Sequence, residues 1–432
     1  MATAHLGTGF DMLALPGSLV GAPNVAGSQS VIVLSDSGGG PWRLGMTGSF
    51  DLSPAFSGTV HNLFVSNTTA VIPGLMIEAN SFMSKAVWDL AGVNGSLFHF
   101  VSAMLKGNDT IYGAGLDETL AGFGGNDVLV GGAGGDELVG GDGIDTASYA
   151  NAAASVVVVM LDPGFNQGDA DGDTYFGIEN LAGSRFNDFL YANDSINRVS
   201  GGLGNDTLVG MLGADTLDGG AGTDTASYDD GLAVTASLLT PGINTSAAKG
   251  DKYISIENLA GSSFNDTLYG NNAANKVEGN NDPALTTIID NDKLFGLGGN
   301  DQLFGGWGID TLTGGLGKDA LTGGGSRDIF DFNLISESVV GANRDIIMDF
   351  TRGSPTTGDD IDLSTIDANT TLAGNQNFTW RGTGAFTSLA GQLRFTDQGP
   401  TCLVQGDVNG DGKADFEIMV SVATLGIGDF IL

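Results

Sequence analysis

Carboxylates recur along this chain at a spacing of nine residues. Asp109, Glu118, Asp127, Asp136 and Asp145 form one run, Asp206, Asp215 and Asp224 a second, and Asp292, Asp301, Asp310, Asp319 and Asp328 a third. Asp188 lies eighteen residues before Asp206, with Asn197 in the slot between. An apolar residue follows two places after each acid of the first run: Ile111, Leu120, Leu129, Leu138 and Ala147. The residues before each acid are rich in glycine, which reaches positive φ at no steric cost and so favours a turn. The three residues after it suit a short strand with its middle side chain inward. Two such units make a coil of about eighteen residues, so acids eighteen apart stack on one side. Stacked carboxylates with nearby carbonyls form an oxygen cage for a hard cation. Calcium takes six to eight oxygens in flexible geometry and suits such a cage better than magnesium or zinc. A flexible glycine-rich linker has no reason to keep Asp and Leu in register.

The period, GGxGxDxUx with U large and apolar, resembles the calcium-binding nonapeptide of RTX (repeats-in-toxin) proteins. The expected fold is all-β: a right-handed parallel β-roll, or β-solenoid, with calcium in its turns. Pairing aspartates eighteen apart predicts cages at 109/127, 127/145, 188/206, 206/224, 292/310, 301/319 and 310/328. Glu118 with Asp136 is a further candidate, weakened by the longer side chain and by Leu116 in a glycine position. The expectation is roughly six to ten calcium ions. Asp127, Asp206 and Asp310 each belong to two pairs and should matter most. Asp292, in one pair, should matter less than Asp310.

Three segments must position these turns. Residues 1–105 lack the period and read as a small β-rich domain, with runs at Val31–Leu34 and Val60–Val65 between turn residues. Glu78–Ala91 reads as a helix that would cap the open sheet edge of the first coil. Residues 106–330 are the roll. It carries two related inserts, 146–187 and 225–265, in which GIENLAGSRFND at 177–188 matches SIENLAGSSFND at 255–266. The nine-residue apolar phase continues at Leu181, Leu190, Val199, Leu208 and Leu217, so the roll should run through the inserts in wider coils. The register breaks near 280–291.

Residues 331–432 contain RDIIMDF, DDIDLSTIDA, AGQLRF and GDVNGDGKADFEIMV in an order that resembles the C-terminal domain of serralysin-type secreted metalloproteases. That resemblance implies a β-rich cap on the roll and a C-terminal signal for type I secretion. Asp429 followed by Phe430, Ile431 and Leu432 looks like such a signal, and equally like a last strand packed on the cap. In DVNGDGKAD, Asp407, Asn409, Asp411 and Asp415 occupy positions 1, 3, 5 and 9 of an EF-hand-like loop, with Gly412 at position 6. Position 12 is Ile418 rather than a bidentate Glu, so the alternative is an Asx-rich hairpin turn.

Composition narrows the function. The net charge is −35, with 16 basic residues among 432, which disfavours nucleic acid and anionic membranes as partners. One cysteine, Cys402, leaves no intramolecular disulfide, so metal rather than disulfide is the expected staple. The N-terminus has no basic stretch followed by an apolar one, so no signal peptide is expected, and no stretch suits a transmembrane helix. The chain has no HExxH and no GxSxG, and His5, His61 and His99 are scattered, so it is expected not to be an enzyme. The expected role is a secreted, extracellular or cell-surface calcium-binding protein. It would pass the type I machinery largely unfolded, fold on extracellular calcium, and assemble with other copies into a surface layer, filament or matrix. A monomeric calcium-dependent ligand- or partner-binding module is the alternative, and a hydrolase with an unrecognised N-terminal active site a second.

Overall fold

The computed structural model describes residues 107–113, 117–229, 232–279, 290–353 and 357–432. It also describes the backbone of the strands Ser30–Leu34, Trp42–Asp51, Ser57–Asn67 and Val87–Trp88. Contacts divide the chain into two compact units: Met1–Asn193 with Asn197–Asp206, and Asp194–Ile196 with Thr207–Leu432.

In the first unit, Ser30–Leu34, Trp42–Asp51 and Ser57–Asn67 form an antiparallel sheet. The periodic region behaves differently: its strands are mostly three to six residues long and pair in parallel. Thr110–Tyr112, Val128–Val130, Thr146–Ser148, Asn180–Ala182 and Arg198–Leu203 stack in that order. Thr119–Gly124, Glu137–Asp142 and Thr174–Phe176 form a second parallel stack. Val157–Val159 pairs with Phe189–Tyr191.

The second unit repeats the plan. Thr207–Val209, Thr225–Ser227, Asn258–Ala260, Lys276–Glu278, Gln302–Trp307, Ala320–Gly325, Asp345–Ile347 and Phe416–Val420 stack in parallel. Cys402–Asp407 and Gln392–Asp397 extend that sheet antiparallel. A second column runs Thr235–Ser237, Thr267–Tyr269, Lys293–Gly299, Thr311–Gly317, Ile329–Asp331, Asp360–Asp362 and finally Phe430–Ile431. The chain is a β-solenoid, as its period predicts, and its final residues serve as a strand pinned where Arg352 Nε meets Asp429 Oδ2 at 2.9 Å.

Side chains alternate across a strand, so a three-residue strand turns only its middle residue inward. Leu129, Leu208 and Leu268 are such residues, Leu120, Leu138, Leu294, Leu303, Leu312 and Leu321 hold the equivalent second place in longer strands, and each is 0% exposed. Ala147 and Ala226 take the same place where the inserts begin. Turns need left-handed backbone, which Gly306 (φ 111°) and Gly308 (φ 137°) supply in GGWGID. Phe123, Met211 and Leu297 hold the same conformation without being glycine, at φ of 65°, 66° and 74°. That costs about 1–2 kcal/mol for each.

The inserts widen the coil without breaking the ladder. Thr146 pairs with Asn180 and Thr225 with Asn258, and the extra residues form a strand and two 3-10 turns. Residues 280–289 of the expected register break lie outside the described residues. On either side of them Thr267 pairs with Lys293 and Lys276 with Gln302, so the ladder carries on across an added loop. The helix expected over 78–91 is not seen at its described positions. Val87 and Trp88 form a strand, antiparallel to Leu120 and Thr119, and the other residues of that span lie outside the described residues. An open sheet edge offers unpaired N–H and C=O groups, and pairing with them outweighs a modest helical pattern.

The one-residue core gives a direct test. Leu312→Ala should cost about 2–5 kcal/mol in urea unfolding at saturating calcium. Leu316→Ala, at a side chain 54% exposed on the same strand, should stay within about 0.5 kcal/mol. Equal losses would contradict a core built from single inward residues.

Candidate metal centre

Each repeat acid sits at the end of its turn, just before the strand. Its backbone N–H donates to the carboxylate of the acid one coil later. Asp109 N lies 2.9 Å from Asp127 Oδ1, Asp127 N 2.7 Å from Asp145 Oδ1, and Glu118 N 2.8 Å from Asp136 Oδ1. Asp188 N donates to Asp206 Oδ1 at 2.8 Å. In the third run Asp292 N, Asp301 N and Asp310 N donate to Asp310, Asp319 and Asp328 at 2.8, 2.8 and 3.0 Å. Asp206 falls in the first unit and Asp215 and Asp224 in the second; all three are buried. The carbonyls join in: Val128 N donates to Asp109 O and Thr311 N to Asp292 O, both at 2.8 Å. The side-chain ladder thus continues the backbone ladder around the corner of each coil.

The pattern has members that the nine-residue period does not reveal. Asp136 N donates to Asp173 Oδ1 and Asp215 N to Asp251 Oδ1. Asp145 N donates to Glu179 Oε2 and Asp224 N to Glu257 Oε2. Asp266 N donates to Asp292 Oδ1, Asp319 N to Asp345 Oδ1, and Asp328 N to Asp359 Oδ1. Glu179, Glu257 and Asp266 lie in the duplicated IENLAGSxFND segment, and that duplication was the available signal. Asp292 is therefore not the end of its column: it stands between Asp266 and Asp310. The asparagine before many acids also has a role. Asn126 Oδ1 accepts Ile144 N at 3.1 Å and Asn300 Oδ1 accepts Lys318 N at 3.0 Å, in an outer ladder exposed to solvent.

The second carboxylate oxygen is what makes these turns chemically unusual. Among the described residues no hydrogen-bond donor reaches buried Oδ2 of Asp136, Asp292, Asp301, Asp310, Asp319, Asp328 or Asp345. Glycine leaves the room for it. A Cβ on Gly305 would lie 2.5 Å from both Asp310 Oδ2 and the Gly323 carbonyl oxygen, so carboxylate and carbonyl oxygens converge there. Burial pushes the carboxyls of Asp292, Asp328 and Asp345 up to about 8, helped by neighbouring carboxylates. It pushes Asp136, Asp301 and Asp310 to about 7 and Asp319 to about 6. A buried carboxylate oxygen with no donor needs either a proton or a cation. The donor set consists of carboxylates and carbonyls, which suits a hard cation. Among the described residues no three Asp, Glu, His or Cys side chains form a metal cluster, so a cation here requires paired carboxylates together with backbone carbonyls.

The loop of Asp407, Asn409, Asp411 and Asp415 is arranged differently. Asp407 accepts N–H from Gly410 and Gly412, at 2.6 and 2.9 Å. Asp415 accepts from Val408 N and Asn409 Nδ2, at 2.8 and 2.7 Å. Asp411 N donates to Asn409 Oδ1 at 2.8 Å. These contacts close a hairpin between Cys402–Asp407 and Phe416–Val420, with no flanking helix. Cys402 is buried in that sheet, and burial raises its thiol to about 11, so it offers no thiolate. Of the histidines, no side chain lies among the described residues.

A family model described as the peptidase M10 serralysin C terminal matches residues 242–432. A model of the RTX calcium-binding nonapeptide repeat matches residues 112–147, 173–208 and 191–226. Two solution structures of subunits of the Azotobacter vinelandii mannuronan C5-epimerase are similar. AlgE6R3 has 25% identity over 38% of this chain and 80% of its own, with a TM-score of 0.26. AlgE6R2 has 24% identity over 39% of this chain and 93% of its own, with a TM-score of 0.27. No curated protein matches the chain.

Two predictions follow from the ladder. The raised carboxyls hold protons in the folded state that an unfolded aspartate, near 3.9, has released. Without divalent cations, stability is therefore fully present below about pH 4 and is lost as pH rises through about 6 to 8. Thermal melts of calcium-stripped protein should show a lower Tm at pH 8 than at pH 5; a higher one would contradict the buried, donor-free oxygens. Asp292→Ala and Asp310→Ala should raise the calcium midpoint of folding by similar factors, since each sits between two partners. A clearly milder Asp292→Ala would remove Asp266 from the column.

Proposed function

The chain carries RTX calcium-binding nonapeptide repeats and a serralysin C-terminal domain, and on that premise we propose that it is a secreted, non-catalytic structural protein whose roll folds on extracellular calcium and then assembles with other copies. The observation that carries the calcium part is the column of buried Oδ2 atoms of Asp292, Asp301, Asp310, Asp319 and Asp328, which no donor reaches among the described residues. Asp109, Asp127, Asp145, Glu118, Asp136, Asp206, Asp215, Asp224, Asp292, Asp301, Asp310, Asp319 and Asp328 would hold the ions, with the turn carbonyls completing each shell; Asp188 would not, because Val156 N reaches its Oδ1 and Ser184 N its Oδ2. Roughly six to ten ions would be bound. The hairpin at 407–415 is left out, because both oxygens of Asp407 and of Asp415 already accept loop N–H groups.

Calcium supplies positive charge to turns that otherwise repel. One site at a hundred times its dissociation constant contributes about 2.7 kcal/mol, so several sites together match an ordinary domain's stability of about 5–15 kcal/mol. At low calcium the nonapeptide runs would be loose, a state suited to a type I secretion channel. In this reading residues 1–105 form the N-terminal domain, 106–330 the roll, and 331–432 the cap and secretion signal.

Assembly is supported by exposed apolar side chains that recur in the two inserts. Leu161 and Leu239 correspond, as do Phe165 and Ile243, Phe176 and Ile254, and Phe186 and Phe264, and all eight are exposed. Exposed apolar side chains that gather into a contiguous patch mark association sites, and their recurrence at matching places in both inserts favours such a surface. A calcium titration from chelator to about 10 mM, followed by circular dichroism and light scattering, tests the reading. A cooperative gain of β-signal with rising mass is expected. The same gain at constant monomer mass would replace assembly by a monomeric binding module, and no response to calcium would overturn the reading altogether.

A further inference from the structure

We infer that in each of the two inserts a buried tyrosine hydroxyl takes the place that a cation takes in the nonapeptide turns, so that these coils close without metal. The inference rests on the calcium reading of the nonapeptide turns. In those turns one carboxylate oxygen accepts the N–H of the previous coil and the other, in Asp292, Asp301, Asp310, Asp319 and Asp328, meets no donor among the described residues.

Asp173 has the first half of that arrangement and a different second half. Its Oδ1 accepts Asp136 N at 2.8 Å, as any repeat acid would. Its Oδ2 accepts the hydroxyl of Tyr149 at 2.7 Å. The Tyr149 and Tyr175 hydroxyls are 2.5 Å apart, and Asn166 Nδ2 lies 3.3 Å from the Tyr175 oxygen. One direction satisfies all of them: Asn166 donates to Tyr175, Tyr175 to Tyr149, and Tyr149 to Asp173. Asn166 is held in turn, because its Oδ1 accepts Val159 N at 2.6 Å from the insert's own strand.

The second insert repeats the network. Asp251 Oδ1 accepts Asp215 N at 2.9 Å, and its Oδ2 accepts the Tyr228 hydroxyl at 3.0 Å. Tyr228 is hydrogen-bonded to Tyr253, Asn244 Nδ2 donates to the Tyr253 hydroxyl at 2.9 Å, and Asn244 Oδ1 accepts Ser237 N at 2.9 Å. Tyr149, Tyr228, Asp173 and Asp251 are 2, 1, 0 and 2% exposed, so no network relies on solvent. Burial holds both phenols well above their usual range, which keeps them as donors at neutral pH. A hydroxyl bonded to a buried carboxylate is a charge-assisted hydrogen bond, among the stronger kinds.

A neutral side chain also replaces an acid in the coil that follows each insert. Asn197 and Asn275 stand in repeat positions, and each donates its amide to the carbonyl of the glutamate eighteen residues before, Glu179 or Glu257. The two inserts are thus blocks in which a hydroxyl reaches the second carboxylate oxygen, whereas Asp292, Asp301, Asp310, Asp319 and Asp328 have no such donor among the described residues. They form preformed segments from which calcium-dependent coils extend.

Hydrogen exchange of the full chain, in chelator and across a calcium titration, tests this. In chelator, peptides covering Val157–Phe176 and Thr235–Ile254 should exchange at least about tenfold more slowly than peptides from 117–145 and 292–330. The double variant Tyr149→Phe with Tyr228→Phe should lose that protection in chelator, since Asp173 and Asp251 lose their donor. If the insert peptides of the unsubstituted chain gain protection only at the same calcium midpoint as the runs, the inference fails and the calcium reading survives. If no peptide responds to calcium, the calcium reading fails and takes the inference with it. If the double variant keeps full protection in chelator, the hydroxyls are not the staple and the inference fails.

Discussion

A carboxylate oxygen accepting a backbone N–H from the previous coil is the contact on which the rest of the roll depends. Three-residue strands offer few ladder hydrogen bonds and one buried side chain each. The glycines of the turns lose more conformational freedom on folding than any other residue. Strands alone would not hold such coils in register. The bond from Asp292 N to Asp310 Oδ1, and its equivalents, fixes each turn on the next. In Asp310 the same geometry buries the other oxygen against Gly305, where no donor reaches it among the described residues. Mechanical register and electrostatic cost therefore come from one side chain, which ties stability to whatever neutralises it.

The inserts and the runs answer the same requirement with different chemistry. Where the coil is short, a glycine lies against the acid's second oxygen, as Gly305 does against Asp310. Where it widens, between Thr146 and Asn180 or Thr225 and Asn258, the extra strand and 3-10 turns bring Asn166, Tyr175 and Tyr149, or their counterparts, under the carboxylate. The ladder tolerates this because it links coil to coil and ignores how far apart in sequence the linked residues lie. Asp266 reaches Asp292 across 26 positions as well as Asp292 reaches Asp310 across 18, both at 2.8 Å.

This indifference to spacing also explains what could be read from the chain beforehand. Leu120, Leu129 and Leu138 and their acids were legible because a fixed period maps directly onto stacked coils. Asp173 and Asp251 were not, because their partners Asp136 and Asp215 lie 37 and 36 positions away and no period connects them. Glu179, Glu257 and Asp266 lie in the duplicated segment, where Asp266 is the counterpart of Asp188, so the duplication carried the signal for them. Val87 and Trp88 suited a helix by pattern, yet their backbone pairs with Leu120 and Thr119, a contact no local window contains. The loop at 407–415 has half of an EF-hand's residues, and Asp407 accepts glycine N–H groups three and five residues on, as in an Asx-rich turn.

The stacked ladder has a consequence under tension. Pulled along the stacking direction, coils joined only to their neighbours peel off singly, each breaking its own few hydrogen bonds rather than sharing load with the others. A coil of 18 residues pays out about 60 Å of chain and one of 26 about 90 Å, at about 3.4 Å per residue. On the proposed reading the force of each step is set at the turn, by the ion or hydroxyl beneath the carboxylate, and its length by the residues between rungs. Such a roll is a graded spring with two kinds of rung, one adjustable by the surrounding calcium and one not.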